Sequence, residues 1–126
     1  MKEKRSSTTI AIVDDTESIL DSVRMVLESQ QWNILTYATG ETFLADLERH
    51  HLDCVILDPH LTSLSGVDVA QALTKLRRPI PILVLTAYPN SPLTKEIEEM
   101  GVYCVLLKPI TAEKLIGQIK TACLLH

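Results

Sequence analysis

No apolar run in this sequence is long enough to span a bilayer, which excludes a membrane-spanning helix. The start, Met1 to Thr9, is basic and then rich in serine and threonine. It lacks an apolar stretch followed by a small-residue cleavage site, so it does not read as a secretory signal. Residues 1–7 read instead as a flexible tail. Cysteine is scarce: three residues, an odd number without metal-ligand spacing, argue against a disulfide framework. Cys54 and Cys104 fall in strand patterns and Cys123 in a helix pattern, the setting of buried free thiols in a reducing cytoplasm. Basic charge is short too. A net charge of −4 argues against a nucleic-acid-binding surface. Internal repeats, low-complexity segments and a second-domain boundary are all missing.

What is present fits one domain. The 126 residues are enough for a single core, and 46% hydrophobic content is that of a globular chain. Apolar runs at Thr8–Val13, Ile34–Tyr37, Asp53–Leu57, Ile82–Leu85 and Tyr103–Leu107 predict five strands. Between them lie stretches with helical spacing. The first starts at Asp14-Asp15-Thr16, carries Ile19, Leu20, Val23, Val26 and Leu27, and ends near Ser29-Gln30. Thr39 caps a second, with Phe43, Leu44 and Leu47 inward. A third runs from Gly66 and closes on Lys75, Arg77 and Arg78 before Pro79 and Pro81. Ser91-Pro92 opens a fourth that Gly101 ends, and Thr111 caps a fifth carrying Leu115 and Ile119. Such alternation predicts an α/β fold, a doubly wound parallel sheet covered on both faces, with ligands bound outside the carboxyl ends of the strands.

The polar residues gather at those ends. Asp14-Asp15 follows the first strand, Asp58-Pro59 the third, Thr86-Ala87 the fourth and Lys108-Pro109 the fifth. Three carboxylates at one edge repel each other unless a cation joins them. A hard divalent ion suits oxygen ligands: Mg²⁺ takes about six at roughly 2.0–2.1 Å. Asp14, Asp15, Asp58 and the His60 backbone carbonyl are the candidate ligands. With its charge screened, Asp58 can act as a nucleophile towards phosphorus. Lys108 and Thr86 can then pair with the phosphoryl oxygens, with the Ala87 N–H beside them. Taken singly, each residue has a plainer role. Asp14-Asp15 could cap a helix, Thr86 could close a turn, and Lys108 could be a solvated lysine.

Taken together, in order, they resemble the receiver domain of the two-component response-regulator family. The resemblance rests on Asp14-Asp15, Asp58, Gly66, Thr86-Ala87 and Lys108-Pro109 and covers Thr8 to Leu124. It implies a flavodoxin-like three-layer sandwich with strand order 2-1-3-4-5 and five helices, occupying residues 8–124 with no output domain following. It implies a switch and not an enzyme: Asp58 accepts a phosphoryl group from a sensor histidine kinase or a histidine phosphotransfer protein, with Mg²⁺ or Mn²⁺ bound. Thr86 then moves, and the face formed by the fourth helix, fifth strand and fifth helix meets an output domain, a target protein or a second copy. No nucleic acid or membrane is contacted directly, and the location is cytoplasmic.

The chain departs from the family pattern at three places. Thr62 stands where a proline is usual, and Pro59 instead removes an N–H beside the phosphoryl site. Val105 stands where the family's switch aromatic would be; Tyr103 is read as sharing its face, roughly 6–7 Å back along the strand. His60 and Tyr88 occupy positions that tune phosphorylation and hydrolysis, and two bulky groups there imply a shielded, long-lived aspartyl-phosphate. The alternative function is a degenerate receiver that binds proteins without phosphate, favoured by Pro59 and Val105. A phosphohydrolase would want a second carboxylate soon after Asp58, which Pro59-His60 does not provide. A flavin carrier would want a phosphate-cradling loop where Asp14-Asp15 stands, and aromatic walls. His50-His51 reads as a solvated helix end, since adjacent helical residues do not share a face.

Overall fold

A computed structural model describes residues 8–125. Five parallel strands, β1 (Thr9–Val13), β2 (Asn33–Tyr37), β3 (Cys54–Leu57), β4 (Ile82–Thr86) and β5 (Cys104–Leu107), form one sheet in the order β2-β1-β3-β4-β5. The helices are α1 (Glu17–Glu28), α2 (Gly40–Asp46), α3 (Gly66–Thr74), α4 (Pro92–Glu98) and α5 (Ala112–Leu125). The fold class and strand order are those expected. The tail expected at residues 1–7 lies outside the described residues.

Alternation along the strands sorts the core into two layers. Ala11, Val13, Val55, Leu57, Ile82 and Val84 face Phe43, Val69, Ala70, Leu73 and Ile97 on α2, α3 and α4. Ile10, Ile12, Cys54, Ile56, Leu83, Leu85 and Leu106 face Leu20, Val23, Leu27, Leu115, Ile119 and Ala122 on α1 and α5. Central strands β3 and β4 are buried at every position, as their unbroken apolar runs require. The edge strand β5 is less covered, and Leu107 at its end is 55% exposed.

The expected caps form. Thr39 accepts the Thr42 N–H, Ser91 the Thr94 N–H and Thr111 the Lys114 N–H. Gly101 takes a left-handed φ of 86° just past α4. Three readings are corrected. Helix α3 stops at Thr74, so Arg77 and Arg78 lie beyond its last turn. Lys75 closes the helix as its C-cap, its N–H donating to the Ala72 carbonyl, and Pro79 keeps Arg78 out of helical geometry. Arg78 instead donates to the Leu52 carbonyl. Strand β5 begins at Cys104, so Tyr103 precedes the alternation and packs in the α1–α5 layer, opposite Val105. Helix α2 tightens into a 3₁₀ turn at Leu47–Arg49, and Leu47 packs half-buried against the core layer of Phe43, inward as expected. Only Cys54 is a buried thiol; Cys104 and Cys123 are half-buried.

Candidate functional site

Sheet register brings the acidic residues together. Val13 lies opposite Leu57, so Asp14 and Asp58 leave the sheet side by side. The ladder continues through both: the Asp58 N–H donates to the Val13 carbonyl (3.0 Å) and the Asp14 N–H to the Tyr37 carbonyl (3.1 Å). Thr86 lies opposite Leu107, and the Lys108 N–H returns to the Thr86 carbonyl (2.8 Å). Lys108 is thus anchored beside the end of β4, and the bond to Pro109 is cis.

Asp14 is 2% and Asp58 8% exposed; Asp15 is half-buried. One carboxylate oxygen from each of the three lies within 4.8 Å of the others. The Lys108 ammonium reaches over two of them, 2.8 Å from Asp14 Oδ2 and 3.2 Å from Asp58 Oδ2. Burial pushes the Asp14 carboxyl above its ordinary range, and the hydrogen bonds from Lys108 and the Thr16 N–H only partly offset it. For Lys108, burial would depress the ammonium, but the Asp14 and Asp58 carboxylates outweigh it and raise its pKa. Asp14 does not cap α1. Thr16 is the N-cap and makes no side-chain cap bond, while Asp14 Oδ1 accepts the Thr16 N–H at 2.9 Å. The plainer capping role is therefore not what holds this pair at the edge.

Thr86 is fully buried, and its Oγ1 accepts the Tyr88 N–H (2.9 Å). Ala87 and Tyr88 are exposed, Tyr88 by 64%. Val105 is half-buried against the layer holding α4. Pro59 is buried, and its carbonyl accepts the Gly66 N–H (3.1 Å). The amide that proline removes is followed by the His60 N–H, which donates to Asp58 Oδ1 (2.9 Å).

Two contacts were not legible in the sequence. The His60 ring joins Ser91 Oγ through Nε2 at 2.9 Å. It also meets Tyr88 edge-on, with centroids 5.3 Å apart and planes at 80°. Ser91 read only as a helix cap; its position at the carboxyl edge, after β4, was the available signal. His50 pairs with Asp46 at 3.0 Å, in keeping with a helix end.

Comparison with known proteins decides the family. The model of the response regulator receiver domain matches residues 10–120. The chain belongs to that family. Among similar proteins is the response regulator protein TodT of Pseudomonas putida, 28% identical over 92% of this chain and 51% of TodT. This receiver therefore spans about half the length of that relative. A CheY-like receiver domain protein from Methanospirillum hungatei JF-1 superposes with a TM-score of 0.87 at 26% identity, covering 93% of this chain and 94% of that one. The BeF3-activated DrrB receiver domain does so with a TM-score of 0.82 at 28% identity, over 92% and 97%. Among the described residues no helix is long and apolar enough to cross a membrane.

Proposed function

We propose that residues 8–124 form a phosphoacceptor switch in which Asp58 takes a phosphoryl group from a sensor histidine kinase or histidine phosphotransfer protein. The observation that carries this reading is the buried Asp14–Lys108–Asp58 arrangement, with Asp15 close enough to share a cation. In the transfer, an Asp58 carboxylate oxygen attacks phosphorus. The P–N bond of the donor phosphohistidine breaks, and its nitrogen leaves with the electron pair. Lys108 stands where it can follow the charge from the carboxylate onto the phosphoryl oxygens. The Thr86 hydroxyl accepts from the backbone and keeps its proton to donate.

The acidic trio fits a divalent ion: its donors are all oxygen and lie close enough to share one sphere. Asp14, Asp15, Asp58 and the His60 carbonyl would hold Mg²⁺, or Mn²⁺. The ion would supply the positive charge that lets an anionic phosphoryl group approach. BeF3 activation of the similar DrrB receiver supports a phosphoryl site in this fold.

The output reading rests on the face of α4, β5 and α5. Leu107 and Tyr88 are large apolar groups exposed at that end of the sheet, as an intermittently covered surface would be. An output domain, a target protein or a second copy would bind there. His60 packed on Tyr88 supports a shielded, slowly hydrolysed aspartyl-phosphate.

The test is intact mass after incubation with Mg²⁺ and a small phosphodonor, with Asp58→Asn as control. A Mg²⁺-dependent phosphoryl adduct, lost in the variant, is the expected result. No adduct from either the small donor or a phosphohistidine donor would establish the degenerate receiver that Pro59 and Val105 favour.

A further inference from the structure

We propose that the His60 imidazole is the strut that couples the phosphoacceptor to the first turn of α4, in place of an aromatic switch on β5. The inference rests on Asp58 being phosphorylated.

The hydrogen bonds around Ser91 assign the proton on the ring. Thr94, fully buried, donates its hydroxyl to the Tyr88 carbonyl (2.9 Å). The Ser91 hydroxyl donates to Thr94 Oγ1 (3.0 Å), and Ser91 Oγ accepts the Thr94 N–H (3.2 Å). Both hydroxyl protons are engaged. Ser91 Oγ can then only accept from His60, so in the neutral ring Nε2 carries the hydrogen across the 2.9 Å contact. Nδ1 is left with a bare lone pair. That atom is sealed from water, has no hydrogen-bond partner, and sits 3.7 Å from Asp58 Oδ1.

One rigid ring thus spans the phosphoacceptor and the α4 cap. A phosphoryl group on Asp58 brings three anionic oxygens, all acceptors, towards that lone pair. The 3.7 Å between Nδ1 and Asp58 Oδ1 leaves no room for that group, and the ring must turn or withdraw. Nε2 lies across the same ring, so any such movement takes its N–H off Ser91. Tyr88, edge-on against the ring, shifts with it as a packed pair that still covers the phosphoryl group, and the Tyr88 carbonyl is the partner of Thr94. The first turn of α4 loses two of its ties together. Leu93 and Ile97 of α4 pack in the same layer as Val105, so the movement reaches the β5 edge without an aromatic there.

The experiment is amide hydrogen exchange of α4, read on unphosphorylated and phosphorylated species separated by mass, so that changes in phosphorylation rate do not enter. In the natural sequence, phosphorylation should raise exchange at the Thr94 amide by about tenfold, the scale of a lost cap. His60→Asn cannot reach Ser91. It should show the raised exchange before phosphorylation and no further rise after it. His60→Gln places an amide N–H near the Nε2 position and should restore protection. Amides of α1 and α5 should not move, which separates coupling from a general loss of stability. An α4 protected equally in His60→Asn, or a full phosphorylation response in that variant, would overturn the strut. No adduct on the natural sequence would overturn the phosphoacceptor reading and the coupling with it. An adduct that leaves α4 unmoved would overturn the coupling alone.

Discussion

Replacing Gly66 with alanine adds one methyl group at the first residue of α3. An ideal Cβ there would lie 2.5 Å from Pro59 Cα and 2.9 Å from each of the Asp58 and Pro59 carbonyl oxygens. Carbon contacts are comfortable at about 3.5–4.0 Å, so the loop must retreat by about 1 Å. All three atoms are backbone, and no rotamer can relieve them. Overpacking of this kind costs about 1–3 kcal/mol. Alanine's helix preference over glycine returns about 0.5–1 kcal/mol. The difference spans about 0–2.5 kcal/mol and centres near 1 kcal/mol of net loss, read as a lower urea midpoint with unchanged slope. The displaced atoms flank the phosphoacceptor, so the Asp58 phosphorylation rate should fall as well, by about tenfold or more for a shift of that size. Gly117, exposed in α5 with nothing within 4 Å of where a methyl group would stand, is the comparator. Gly117→Ala should stabilise by about 0.5–1 kcal/mol. Equal stabilisation by both substitutions would refute the close-approach argument and leave helix preference as the only effect.

Lys108→Met leaves Asp14 and Asp58 facing each other without the ammonium; breaking a buried pair costs about 3–5 kcal/mol, and partial exposure of Lys108 places this at the low end. Urea unfolding should show the deficit, and Mg²⁺ should recover more stability in this variant than in the natural sequence. Asp14→Asn should stabilise at neutral pH. A carboxyl raised in the fold contributes stability below its ordinary range and loses it as pH rises through its folded value, so the variant's advantage should grow as pH rises above the ordinary carboxylate range. The raised Lys108 ammonium contributes stability that is lost only in the alkaline range, above its ordinary value. Tyr88→Ala uncovers the His60 ring and should shorten the aspartyl-phosphate lifetime, followed by loss of the phosphoryl adduct with time.

The sheet was legible because its central strands β1, β3 and β4 are buried on both faces and read as apolar runs, stopped at Asp14, Asp58 and Thr86. Capping residues were legible for a local reason: Thr39, Ser91 and Thr111 each bond an amide three residues on, within one turn. Reading failed where the deciding partner is distant in sequence. Arg78 looked like a helix-end charge, but its partner is the Leu52 carbonyl, across a layer. Tyr103 was assigned a face by alternation, and alternation holds only inside the strand, which starts one residue later. The contact between His60 and Ser91 joins residues 31 apart, and no spacing rule connects a loop after β3 to a cap after β4. The site residues themselves stand at strand ends, so their convergence follows from parallel register.

That register carries a cost which bears on function. Placing Val13 opposite Leu57 forces Asp14 and Asp58 out of the sheet together, in a place where one is 2% and the other 8% exposed. Two buried carboxylates share one ammonium there; burial raises the Asp14 carboxyl, and the neighbouring Asp58 carboxylate adds to the rise. A core built for stability alone would neutralise one of the acids, as Asp14→Asn does. Retaining both leaves the edge with an unmet demand for cations. A divalent ion of the kind proposed above would meet that demand. The Lys108 backbone is held by its N–H on the Thr86 carbonyl, the next step of the β4–β5 ladder. An ammonium anchored in this way can shift from carboxylate to phosphoryl oxygen while its strand stays in place.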